Sequence, residues 1–184
     1  MEKSIKLSDV RIPIREPLSQ ALKGSPEETD FELSLLDVAR LSGHCCLAIT
    51  GAFLVTKSAI DELFPDGVCV RGDLEVGLPR QTTPSATGPV ANVISYITGA
   101  WGPTGFEGLS GQHIRKGLLR LDCEDVPSHT FFFKRKSTGA SILLRFLPQN
   151  ANASGDPQMP FVERVQAKVQ WALKNPRACV EIDV

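Results

Sequence analysis

Three phenylalanines in succession, Phe131-Phe132-Phe133, follow Thr130 in a run that reads as a strand. Side chains alternate between the two faces of a strand, so aromatic rings emerge on both faces of whatever sheet this run joins. Neither face can be left wholly to water without forfeiting apolar burial. One layer of helices covers one face only. The other face then calls for the N-terminal arm, residues 1–30, or for a second subunit.

The rest of the chain supplies partners for that strand. Residues 118–123 and 140–146 read as further strands, with Ser137-Thr138-Gly139 as the hairpin turn between the Phe run and the latter. Residues 68–76 alternate like a strand, with Gly72 marking a bulge. Before them lie two helical patterns. Thr29 or Asp30 caps the first, a helix of about 12 residues with Leu33, Leu36, Val38 and Leu41 on its apolar side. The second runs over 44–63, burying Leu47, Phe53, Leu54, Ala59, Ile60 and Leu63, until Phe64-Pro65-Asp66-Gly67 ends it.

Residues 79–89, with three prolines, form a long loop, and a short helix follows over 90–97. Beyond a polar linker, Val162, Val165, Val169, Ala172 and Leu173 mark an amphipathic helix stopped by Asn175-Pro176, and 178–184 is a closing strand. Helices do not alternate with strands throughout, as a doubly wound sheet requires. The class is therefore α+β: N-terminal helices packed on a mainly antiparallel sheet, with a late helix and a C-terminal strand. Pro13, Pro17 and Pro26 make residues 1–30 an irregular arm, and residues 31–184 form one domain.

Composition removes whole classes of function. A net charge of −1, without a basic stripe interleaved with aromatics, argues against a nucleic-acid binder. Lys134-Arg135-Lys136 reads as a solvated hairpin end. No run of about 20 apolar residues is present for a membrane span, and Met1 to Lys6 lacks the apolar core of a signal peptide. Five scattered cysteines, Cys45, Cys46, Cys69, Cys123 and Cys179, make no disulfide framework and point to a reducing, cytoplasmic compartment.

Reactive chemistry concentrates in Leu41-Ser42-Gly43-His44-Cys45-Cys46. An imidazole and two thiols are borderline and soft metal ligands. At the start of a helix, unpaired N–H groups and the helix dipole favour thiolate. Adjacent residues seldom bind one ion in good geometry, so a metal needs ligands from elsewhere, His113 or Cys69 among them. The plainer alternative makes Cys45 and Cys46 small buried residues beside a hydrogen-bonded His44.

A thiol nucleophile paired with His113 or His129 is a weaker option, and His129 reads as an ordinary loop histidine. Dinucleotide, Walker, G-x-S-x-G and His-Glu-x-x-His signatures are absent. Thr98-Gly99-Ala100-Trp101-Gly102-Pro103-Thr104-Gly105 permits close backbone approach, and Trp101 either walls a pocket or packs in a turn.

The order of elements around Gly43-His44-Cys45-Cys46 resembles the family of E-type subunits of formylmethanofuran dehydrogenase, whose members carry Gly-His-x-Cys-Pro after a first helix. Gly43, His44 and Cys46 match, and Leu47 replaces the proline. The family's later Cys-x-x-Asp and Thr-Gly-Cys-Thr-x-Gly motifs correspond to Pro89-Val90-Ala91-Asn92 and Thr98-Gly99-Ala100-Trp101, with Asn92 for the aspartate and Ala100 for the second cysteine. The resemblance spans roughly residues 30–184. It implies an α+β core that forms homodimers and a metal site using His44 and Cys46.

Three classes of function follow. The first is a metal-binding protein with ligands from His44, Cys46, Cys45 and His113; zinc suits mixed N/S donors best, with nickel and iron as alternatives. The second is a small-molecule-binding enzyme or carrier, with a pocket between residues 43–46 and 92–101 where Asn92, Ser95, Tyr96 and Trp101 contact the ligand. The third is a non-catalytic accessory protein of an oxidoreductase. With no pterin-binding signature and no iron–sulfur cysteine spacing, dehydrogenase turnover is not expected of this chain alone.

Overall fold

The computed structural model describes residues 4–23, 29–79, 86–127, 129–151 and 158–183. The fold is α+β, as the element order requires. Its main sheet has five strands: β4 (Leu74–Pro79), β5 (Leu119–Cys123), β6 (Thr130–Arg135), β7 (Ser141–Phe146) and β8 (Val180–Asp183), in the order β5-β4-β6-β7-β8. Only β4 and β5 run parallel. The Phe run lies on the central strand, and its alternation decides the layers. Phe131 and Phe133, 5% and 0% exposed, face the helices with Val76, Leu144 and Leu74.

Phe132 points to the other face, half-buried, in register with Gly77 on one side and Leu143 on the other. A Cβ on Gly77 would stand 3.4 Å from Phe132, Val126 and the Cys123 sulfur, so the β5–β6 connection closes over this apolar strip. Around the strip the face is charged. Lys134 and Glu75 sit directly across from each other, as do Arg145 and Glu181, and both pairs are bridged. Opposite charges at facing positions suit a solvated sheet surface. Among the described residues of the N-terminal arm, the Ile5 backbone is clipped on both sides to the Gln170 side chain on the helical layer, away from this face.

The arm is also more regular than its prolines suggest. Residues Arg11–Arg15 form β1, which pairs antiparallel with β2 (Asp30–Ser34) and parallel with β3 (Cys69–Val70), while Pro17–Leu22 form α1. Pro13 is tolerated because β3 reaches only Ile14 and Arg15, leaving Pro13 with a strand on one side only. The stretch 30–34, expected to begin a helix, is thus a strand. Helix α2 (Leu35–Ser42) starts after it with a reciprocal cap between Ser34 and Asp37. Those bonds, first among them the one from the Ser34 hydroxyl, hold the Asp37 carboxyl below its usual range.

The expected strand over 68–76 is divided at Gly72, whose φ of 85° turns the chain from the small sheet into the large one. Helix α3 (Leu47–Leu63) is buried almost all round because it lies between the sheet, α2, α4 (Thr87–Thr98) and α6 (Phe161–Lys174). Gly51 makes room on it for the Phe146 ring. Two short helices, α5 (Pro148–Ala151) and α7 (Pro176–Cys179), flank α6. The loop expected at 79–89 falls largely at 80–85, and the polar linker largely at 152–157, outside the described residues. Among the described residues no helix is long and apolar enough to cross a membrane.

Candidate functional site

The His-Cys run lies at the α2–α3 turn. Gly43 closes α2, and Cys46 occupies the position capping α3, in extended backbone and without a side-chain cap bond. His44 is exposed, with Nδ1 3.0 Å from the Ser42 carbonyl oxygen. Cys45 is half-buried, its sulfur 3.4 Å from the Thr50 hydroxyl, and burial pushes its thiol upward. This is opposite to the thiolate expected at a helix start. Cys45 precedes the cap, so desolvation by the surrounding core outweighs the dipole.

Cys45 lines a cavity with Ser4, Leu7, Gln166, Val169 and Gln170, and His44 does not share it. Cys46 packs half-buried against the core. His113 lies half-buried in the 106–115 loop with a φ of 57°. Among the described residues no three His, Cys, Asp or Glu side chains gather as a metal group.

The second expected site fares differently. Asn92 and Ser95 are one turn apart on α4 and, together with Trp101, line an open groove of about 930 Å³. Across from them lie Gly102, Pro103 and Thr104, together with the whole of β5 and the turn after it, not the 43–46 turn. Tyr96 is absent from the groove. One position beyond Ser95 it is rotated by about 100°, and it packs against the core.

Trp101 is 42% exposed and is held by backbone bonds to Arg115 and Leu119, each 3.0 Å. An apolar cavity of about 300 Å³ opens elsewhere, lined by Leu47, Ala52, Val90, Phe131, Phe146 and His129 among others.

Sequence reasoning missed a charged cluster that is buried at Arg115 and half-buried at Glu16 and Arg71. Glu16 follows β1, Arg71 follows β3, and Arg115 precedes β5; the first pair is 55 residues apart and Glu16 lies 99 from Arg115. Arg71 Nη1 donates to Glu16 Oε2 at 3.1 Å, and Arg115 Nη2 donates to Glu16 Oε1. The Arg115 side chain is 6% exposed. Burial lowers its pKa, with the Arg71 charge adding to the effect and Glu16 opposing it.

The backbone fixes all three residues. Glu16 N–H donates to Thr29, Arg71 N–H to the Arg15 carbonyl, and Arg115 N–H to Phe106. Two glycines make room for the Arg115 side chain: a Cβ on Gly72 would lie 3.0 Å from its Nε, and one on Gly99 would overlap its Nη1. The only hint in the sequence is the density of glycine around Arg115, and that cannot name partners so distant along the chain.

No protein-family model matches the chain, and no curated protein matches it.

Proposed function

We propose that the chain is a small-molecule-binding α+β domain whose ligand lies in the groove between α4 and β5. The observation that carries this reading is Trp101. A large, half-open indole stands at the groove wall beside Asn92 and Ser95, on backbone pinned to Arg115 and Leu119. A flat apolar wall with a few polar groups aimed at one space is the usual composition of a ligand site, and the volume falls within the usual range.

Ligand-observed NMR with a fragment library tests it. Fragments are expected to bind the wild-type chain and to lose binding in Trp101→Ala, while Asn92→Ala weakens them about tenfold, the equivalent of one hydrogen bond. A library without a single Trp101-dependent binder would defeat the reading.

A second reading retains the metal, supported by one detail. Ligating imidazoles commonly engage a carbonyl through the ring nitrogen that does not face the metal, and His44 Nδ1 sits against the Ser42 carbonyl in this manner. With Cys46 it would furnish two donors, and a second copy of the chain, as the family resemblance implies, would furnish the rest. On this reading, elemental analysis of chelator-free protein gives about one zinc per two chains, lost in His44→Ala, and light scattering gives twice the chain mass of 20.0 kDa. A metal-free monomer would remove it.

A further inference from the structure

We propose that the cavity at Arg71 and Arg115 binds a small oxyanion, the carboxylate or phosphate group of an organic molecule whose body rests on Trp101 and Phe106. The cavity, about 390 Å³, is lined by Glu16, Arg71, Arg115, Trp101 and Phe106, with Gly99 and Gly105 among the remaining wall residues. It goes beyond the groove reading and stands on different atoms, the two spaces sharing only Trp101 and Thr104.

The charges are unequal. Among the described residues one carboxylate answers two guanidinium groups, which leaves one positive charge in excess there. Among the described residues the neighbouring acids are engaged elsewhere: Asp73 accepts from Arg135 and Ser137, and Glu107 accepts from Lys116. A buried cation without a counter-charge is costly, which favours a second anion in the same space.

The donors are also unequal to the acceptors. Nε of Arg71 and Nε of Arg115 are both buried and have no hydrogen-bond partner among the described residues. Arg115 is more than nine-tenths buried, yet it lines the cavity. An arginine presents planar, forked N–H groups that match the oxygens of carboxylate and phosphate, whereas a halide ion satisfies that geometry poorly. Trp101 and Phe106, each 42% exposed, offer aromatic surface beside the charge, which suits an anion carried on a flat or apolar body.

The full chain, labelled with nitrogen-15, decides the matter by titration with inorganic phosphate, acetate and benzoate, against chloride at equal ionic strength. The side-chain Nε–H resonances of Arg71 and Arg115 are expected to move in a saturable way with at least one oxyanion and not with chloride. Arg135 is the internal control, because its Nε already donates to Asp73, and its resonance should stay in place.

Saturation by phosphate alone assigns a phosphate site. Saturation by the carboxylates, with benzoate tighter than acetate, assigns a carboxylate on an aromatic body. Glu16→Gln removes the competing charge and should tighten binding by about tenfold or more, since a unit charge a few ångströms away outweighs that factor even at an effective dielectric constant of about 20. Arg71→Gln, at the more exposed of the two arginines, should weaken it. Shifts that follow ionic strength, that include Arg135, or that saturate with none of the three oxyanions would overturn the proposal. The cluster would then be a clamp between the small sheet and the 99–117 segment. Because the wild-type chain carries the titration, a variant that fails to fold does not leave the question open.

Discussion

A Phe133→Ala variant is expected to unfold about 3–5 kcal/mol more easily than the wild type, the usual cost of emptying a fully buried aromatic site. Phe133 is wholly buried on the central strand, between Val76 of β4 and Ile142 of β7, and the helical layer closes over it. The cavity left behind cannot collapse easily, because strands on both sides fix the backbone. Phe132→Ala should cost clearly less, since its ring is half-buried beneath only the β5–β6 connection. Urea denaturation followed by circular dichroism measures both midpoints. Equal losses would mean that the outer face is as thoroughly covered as the inner one, which would restore the case for a second subunit there.

Gly99→Ala is expected to lose about 2–3 kcal/mol, from backbone strain together with displacement of one of the two arginines that pair with Glu16. Gly99 ends α4 with a φ of 70°, a conformation that costs an alanine about 1–2 kcal/mol by itself. A further part comes from overlap of the new Cβ with Arg115 Nη1, which shifts the guanidinium while Arg71 keeps Glu16 paired. Gly72→Ala is the comparison. Its φ is 85°, but its Cβ would stand 3.0 Å from Arg115 Nε, so strain dominates and the loss should be nearer to about 1–2 kcal/mol. Denaturation midpoints rank the two. A Gly99→Ala chain as stable as Gly72→Ala would show that Arg115 can move without penalty.

Much of the fold was legible because the signals are local. The Phe run, the hairpin turn at Ser137-Thr138-Gly139 and the apolar stripe of the late helix each depend on neighbours a few residues away. Residues 30–34 were misleading for a related reason. Asp30-Phe31-Glu32-Leu33-Ser34 alternates like a strand, but Thr29 and Asp30 look like caps, and only pairing with Arg11–Arg15 decides between the two. The same pairing rescues Pro13, which reads as a breaker until the short reach of β3 is known.

The candidate sites divide along the same line. Asn92, Ser95 and Trp101 line one groove because helix spacing and a nearby glycine-rich turn bring them together within ten residues, but the 43–46 turn, expected as the opposite wall, lies elsewhere. His44, Cys45 and Cys46 are adjacent in sequence, yet adjacency does not make a ligand set. The imidazole is exposed, the Cys45 thiol turns inward, and His113 sits on another loop.

What the sequence by itself determined is the α+β class and the two-faced character of the Phe strand, since these rest on periodicity and turn chemistry. What only the tertiary structure decided is where charge is buried. Glu16, Arg71 and Arg115 meet because three separate backbone segments, each fixed by hydrogen bonds of its own, converge beside two glycines. Burial and pairing of charges depend on which chain segments share a volume, and that is a property of packing, not of neighbours along the chain.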